Sequence, residues 1–118
     1  MTELVACVST GKGTWLPVIK LINSEAWSRI FLISTAFARE KFQTDRKVEF
    51  IVIDPEKPLK TIVEDICKGL NKKLFGPEVA LNLSSGTGKE HMAIISAVLR
   101  QGVGIRFVSF SGSSVEEI

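Results

Sequence analysis

LNLSSGTGKEHM, residues 81–92, passes from a β-like to an α-like pattern within a few positions. An apolar run ends at Asn82; serines, glycines, a threonine and a lysine follow, and then a helical pattern sets in. Thr87, followed three residues later by Glu90, forms a reciprocal cap. In such a cap a hydroxyl takes one free amide of the first helical turn and a carboxylate takes another. The helix therefore starts at Gly88, and the stretch reads as one strand–loop–helix unit.

Working outward, the same unit recurs. Residues 78–83 (EVALNL) form the strand that feeds the loop; residues 87–101 form the helix, ended by Gly102; residues 104–110 (GIRFVSF) form the next strand. Upstream, residues 3–9 (ELVACVS) read as a strand buried on both faces. A break at 10–14 (TGKGT) leads into a helix over 15–24, with Leu16, Val18, Ile19, Leu21 and Ile22 at near-helical spacing and Pro17 in its first turn. Residues 29–34 and 47–54 read as strands, with a polar-faced helix over 35–44 between them. Pro58 opens a third helix whose stripe is Leu59, Ile62, Val63, Ile66, Leu70 and Leu74, stopped by Gly76-Pro77. The order βαβαβαβαβ predicts an α/β fold: a Rossmann-like three-layer αβα sandwich with a mainly parallel, five- or six-stranded, doubly wound sheet. The 118 residues read as one domain, either whole or the N-terminal part of a longer chain. The last eight, SGSSVEEI, are either a sixth edge strand or a frayed tail.

Composition narrows the function classes. A net charge of +2 demands no polyelectrolyte partner, and no helix-turn-helix pattern or basic arm supports direct DNA binding. No apolar run approaches the ~18 residues of a membrane span, and no signal peptide is visible, so a cytoplasmic protein is expected. Cys7 and Cys67 lack metal-ligand spacing and read as free thiols, with a bridge between them as the alternative. His91 is the only histidine and has no neighbouring cysteine or paired carboxylate, so neither a metal nor a cofactor is expected. Lys57, Lys60, Lys68, Lys72 and Lys73 read as a solvated helix face, and Arg106 within the fifth strand marks either an edge or a face that meets another chain.

Ligands on doubly wound sheets bind at the carboxyl ends of the strands, where strand order reverses. Strands one and four flank that point. Their exit loops, STGKGT (9–14) and SSGTGKE (84–90), are both rich in Gly, Ser, Thr and Lys. That composition suits anions: glycines admit a phosphate close to backbone amides, a helix start adds unpaired donors, hydroxyls add hydrogen bonds, and Lys12 and Lys89 add charge. The candidate contacts are Gly11, Lys12, Gly13 and Thr14 on one loop, and Ser84, Ser85, Gly86, Thr87, Gly88 and Lys89 on the other. The alternative is a pair of ordinary short βα turns. The phosphate-loop pattern G-x-x-x-x-G-K-[ST] fails at both lysines, and G-x-G-x-x-G fails because Leu16 occupies its last position. His91 is either a general acid or base or a surface side chain. Trp15 either stacks on a base or packs on the sheet, and Asp54 either makes a turn with Pro55 or contacts a ribose.

With Asn82 at the strand end, then Ser84, Gly86, Thr87, Lys89 and Met92, this unit resembles the second signature of CARF domains, the CRISPR-associated Rossmann-fold family. Ser9, Thr10 and Lys12 sit where that family has its other ligand loop. The βα order agrees over residues 3–110. Ser85 stands in place of the first glycine of the usual pair, and Gly88 separates Thr87 from Lys89. The resemblance implies an antiviral-defence sensor that binds a cyclic oligoadenylate, most simply cyclic tetra-adenylate, across a homodimer. It also implies a possible metal-independent ring nuclease in which a ribose 2′-OH attacks the adjoining phosphorus. On that implication Lys89, Ser9 and Thr10 are the catalytic candidates, and Asn82 and His91 join the ligand contacts.

Overall fold

Six buried positions in a row make β1 (Glu3–Val8) the centre of the sheet. The computed structural model describes residues 2–9 and 11–118, and the backbone but not the side chain of Lys12. After β1 come a 3-10 turn (Lys12–Thr14), α1 (Trp15–Ser24), β2 (Ile30–Ser34), α2 (Ala36–Lys41), β3 (Glu49–Val52) and α3 (Leu59–Leu70). β4 (Glu78–Asn82), α4 (Gly88–Arg100), β5 (Gly104–Phe110) and β6 (Val115–Glu117) complete the chain. The strand order is β3-β2-β1-β4-β5-β6. β1 to β5 are parallel, and β6 runs antiparallel along Val108–Phe110 of β5. This is the expected Rossmann-like α/β sandwich, and the tail resolves as a sixth edge strand.

Alternation along the strands separates the two cores. Val5, Cys7, Phe31, Ile33, Ile51, Val79 and Leu81 face α3 and α4, where Ile62, Ile66, Leu70, Ile94 and Val98 complete one apolar cluster. Leu4, Ala6, Val8, Ile30, Leu32 and Ala80 face the other way, onto Trp15, Val18, Leu21 and Ile22 of α1 and Phe42 beyond α2. Gly69 lets α3 sit close on β3, since a Cβ there would lie 2.7 Å from Ile51 Cγ2. Among the described residues no helix is long and apolar enough to cross a membrane.

Element ends differ from the pattern-based reading where tertiary contacts intervene. α2 stops at Lys41 because Phe42 turns extended and packs edge-on against Trp15 and Phe50. α3 ends at Leu70, short of Gly76-Pro77, through a turn in which Lys72 has φ 59° and the Lys73 amide donates to Leu70 O. Arg106 lies in the part of β5 that β6 leaves uncovered, with its Nε 3.4 Å from Glu78 Oε1.

Candidate functional site

β1 and β4 are neighbours in register, Ala6 beside Asn82, yet their following helices cover opposite faces of the sheet. The strand order reverses here, and the two small-residue loops leave the sheet side by side. Direct hydrogen bonds join them. The Ser9 amide donates to Ser85 Oγ at 3.3 Å, Ser9 Oγ donates to Glu90 Oε2 at 2.8 Å, and Thr14 Oγ1 lies 2.8 Å from Ser85 Oγ. Thr14 has one hydroxyl proton, and Gly11 O, 2.7 Å away, can only accept it. That proton is shared between Gly11 O and Ser85 Oγ, and the fully buried Ser85 Oγ also accepts the Ser9 amide inside the junction.

Glu90 lies deepest. It is 1% exposed, and its Oε1 accepts the Thr87 amide at 2.8 Å while the Glu90 amide donates to Thr87 Oγ1 at 3.2 Å. The expected capping box is thus formed, and the same carboxylate also holds the first loop through Ser9. Among the described side chains no cation forms an ion pair with it. Burial, with the Glu90 charge adding to it, pushes the neighbouring Cys7 thiol up to about 12. The inner wall of the junction is accordingly carboxylate and neutral thiol. Gly86 makes the close packing possible: at φ 106° its absent Cβ would fall 2.7 Å from Cys7 Sγ, 2.9 Å from Glu90 Oε1 and 3.1 Å from His91 Nε2.

The outer surface is different. Gly11, Gly13, Ser84, Thr87, Gly88 and Lys89 are exposed, and Thr14, Gly86 and His91 are half-buried. The amides of Thr87 and Glu90 are spent in the cap, whereas those of Gly86, Gly88 and Lys89 have no partner among the described residues. Free amides at a helix start attract anions. Asn82 is buried; its side-chain amide donates to Val108 O and Ser84 Oγ, and its Oδ1 accepts the Ser84 amide, so it shapes the loop from beneath. Lys89 reaches sideways along the rim, donating to Pro55 O at 2.9 Å. A hollow of about 510 Å³ opens there between Phe37, Val52, Asp54, Pro55 and Lys57. His91 Nε2 lies 2.8 Å from Ser85 O, so the ring nitrogen donates to that carbonyl.

Thr10 lies outside the described residues. Trp15 is buried, donates from Nε1 to Ser9 O at 3.0 Å and packs on Phe42, so of its two readings the packing one holds. Asp54 makes a turn, its Oδ1 accepting the Glu56 amide. Ser34, at the carboxyl end of β2, has a buried Oγ with no partner among the described residues. The sequence showed Glu90 only as a cap. Its apolar neighbours Met92 to Ile95 gave no sign that it turns inward, because the direction of a first-turn side chain depends on what the next strand places beside it.

No protein-family model matches the chain, and no curated protein is significantly similar to it. Among the described residues no group of three or more His, Cys, Asp or Glu side chains is arranged to hold a metal ion.

Proposed function

We propose that this chain is a CARF-like sensor that binds a cyclic oligoadenylate at the carboxyl-end rim of the sheet, across a homodimer. The observation that supports this reading is the junction itself. Two Gly- and hydroxyl-rich loops meet at the reversal of strand order, with unspent amides at Gly86, Gly88 and Lys89 on its outer side. Phosphodiester oxygens are the ligand atoms that such amides and the Lys89 ammonium suit. The adenylate ring itself comes from the resemblance of residues 82–92. A two-fold dimer would present the junction twice to a ligand that repeats itself.

If the ring is also cut, the attacking oxygen belongs to the ligand. Its 2′-OH bonds to phosphorus, the P–O5′ bond breaks, and a 2′,3′-cyclic phosphate and a 5′-OH result. The protein's share is then to align the 2′-OH and to stabilise charge on the phosphoryl oxygens. Lys89 and the Gly86–Gly88 amides suit the second task. Ser9 is buried and gives its hydroxyl proton to Glu90, so it supports the loop from beneath the surface a ring would meet.

Calorimetry with cyclic tetra- and hexa-adenylate tests the reading. The expected result is saturable binding near one ring per two chains, weakened by Lys89→Ala. Incubating labelled ring in EDTA tests cutting. Absence of binding at concentrations on the order of 100 µM would overturn the proposal. It would favour the second reading, in which the loops only hold the sheet together; the internal bonds of Ser9, Ser85 and Glu90 speak for that one.

A further inference from the structure

At the opposite edge, where β2 and β3 begin, a cleft of about 610 Å³ opens between Trp27, Arg29, Arg46, Lys47, Val48 and Glu49. Its volume falls within the ~300–1,000 Å³ of small-molecule sites. We propose that it is a second binding site, for an aromatic anion of mononucleotide size, independent of the rim.

Three cations face one carboxylate in the wall, although the whole chain carries a net charge of only +2. That carboxylate is already compensated: Glu49 lies 3.2 Å from Arg29 Nη2 and 2.8 Å from Lys73 Nζ. The two arginines are held in place before any ligand arrives. Arg46 Nη1 donates to Ile22 O at 2.6 Å and Glu25 O at 3.0 Å, which fixes the guanidinium. Its Nε and Nη2 have no partner among the described residues. Arg29 is anchored likewise, to Lys73 O and Glu49, with its guanidinium 4.9 Å from the Phe31 ring centroid. A guanidinium anchored through part of its fork loses little freedom when the rest meets a phosphate or carboxylate. Lys47 is exposed and makes no bond among the described residues, so it is free to close on the charge.

Trp27 supplies the aromatic wall. Its Nε1 donates to Leu21 O at 3.0 Å, so the indole is fixed and its half-buried ring flanks the cleft. A planar base against the indole, with a phosphate among Arg29, Arg46 and Lys47, satisfies both halves of the wall. Neither inorganic phosphate nor an uncharged nucleoside does so alone.

The test follows the two tryptophan indole N–H signals by NMR while the chain is titrated with adenosine monophosphate, inorganic phosphate and adenosine. The expected result is a saturable shift of the Trp27 signal and the Arg46 and Lys47 amides with the monophosphate, the buried Trp15 signal staying still. Lys47→Glu, at an exposed position, should weaken that binding by about fivefold or more. No shift with the monophosphate, or binding unaltered by Lys47→Glu, overturns the site. Phosphate binding as tightly as the nucleotide overturns the aromatic half of the proposal, and adenosine binding as tightly overturns the anionic half.

Discussion

Gly86 and Gly88 stand two residues apart in the same loop, and alanine at each should have opposite consequences. At Gly86 the backbone has φ 106°, a region L residues enter at a cost of about 1–3 kcal/mol. The new methyl would also meet Cys7 Sγ at 2.7 Å and Glu90 Oε1 at 2.9 Å, both buried. Overpacking of that kind costs about 1–3 kcal/mol more. Gly86→Ala should therefore destabilise the fold by about 2–6 kcal/mol. At Gly88, the first residue of α4, φ is not positive and nothing lies within 4 Å of the added carbon. Gly88→Ala should be neutral or stabilising by about 0.4–1 kcal/mol, because it restricts the unfolded chain. Urea titration resolves this: with a slope near 2 kcal/mol/M, the two midpoints should separate by on the order of 2 M. Removing the nearest obstacle provides an internal check. In a Cys7→Ala background the cost of Gly86→Ala should fall by about 1 kcal/mol. If both alanines cost the same within about 0.5 kcal/mol, the close approach of the second loop to β1 is wrong, and with it the junction.

Three further outcomes follow from the same region. Glu90→Gln keeps an acceptor for the Thr87 amide and should cost within about 1 kcal/mol. Glu90→Ala strands that amide and the Ser9 hydroxyl and should cost about 2–4 kcal/mol by denaturant titration; equal costs would remove Glu90 from the junction. Cys7, its thiol raised from 9.0 to about 12 mainly by burial, should resist thiol reagents at pH 8 while Cys67, only half-buried, labels first. The folded pKa lies above the unfolded one, so this contribution to stability is full below pH 9 and is lost as pH rises towards 12. Cys7→Ala should flatten that stretch of the stability–pH curve, and an unchanged slope would refute it. Ser34→Ala should leave stability unchanged or raise it by up to about 1 kcal/mol, because the Oγ is buried without a partner among the described residues; a loss above 1 kcal/mol in a thermal melt would reveal one.

The secondary elements were legible because their signals are local. The period-two and near-3.6 patterns, Pro17 in a first helical turn and the Thr87–Glu90 cap all act within a few residues, and the alternation of β and α confines the sheet to parallel arrangements. Position along the chain also placed both loops at one rim. What the chain alone left open was where each polar side chain in those loops points. Ser9, Ser85 and Glu90 look as available to a ligand as Ser84, Thr87 and Lys89. The structure turns the first three inward, onto partners 71 to 81 residues away, and leaves the other three exposed. Helix ends followed the same rule: α2 and α3 stop where Phe42 and the turn after Leu70 meet their surroundings, ahead of the breaks written in the chain. A hydroxyl or carboxylate bonds to whatever the fold brings within about 3 Å, and that neighbour is chosen by the sheet order. The sequence therefore determined the elements and their layering, and tertiary structure alone decided which groups of the rim are buried and which are exposed.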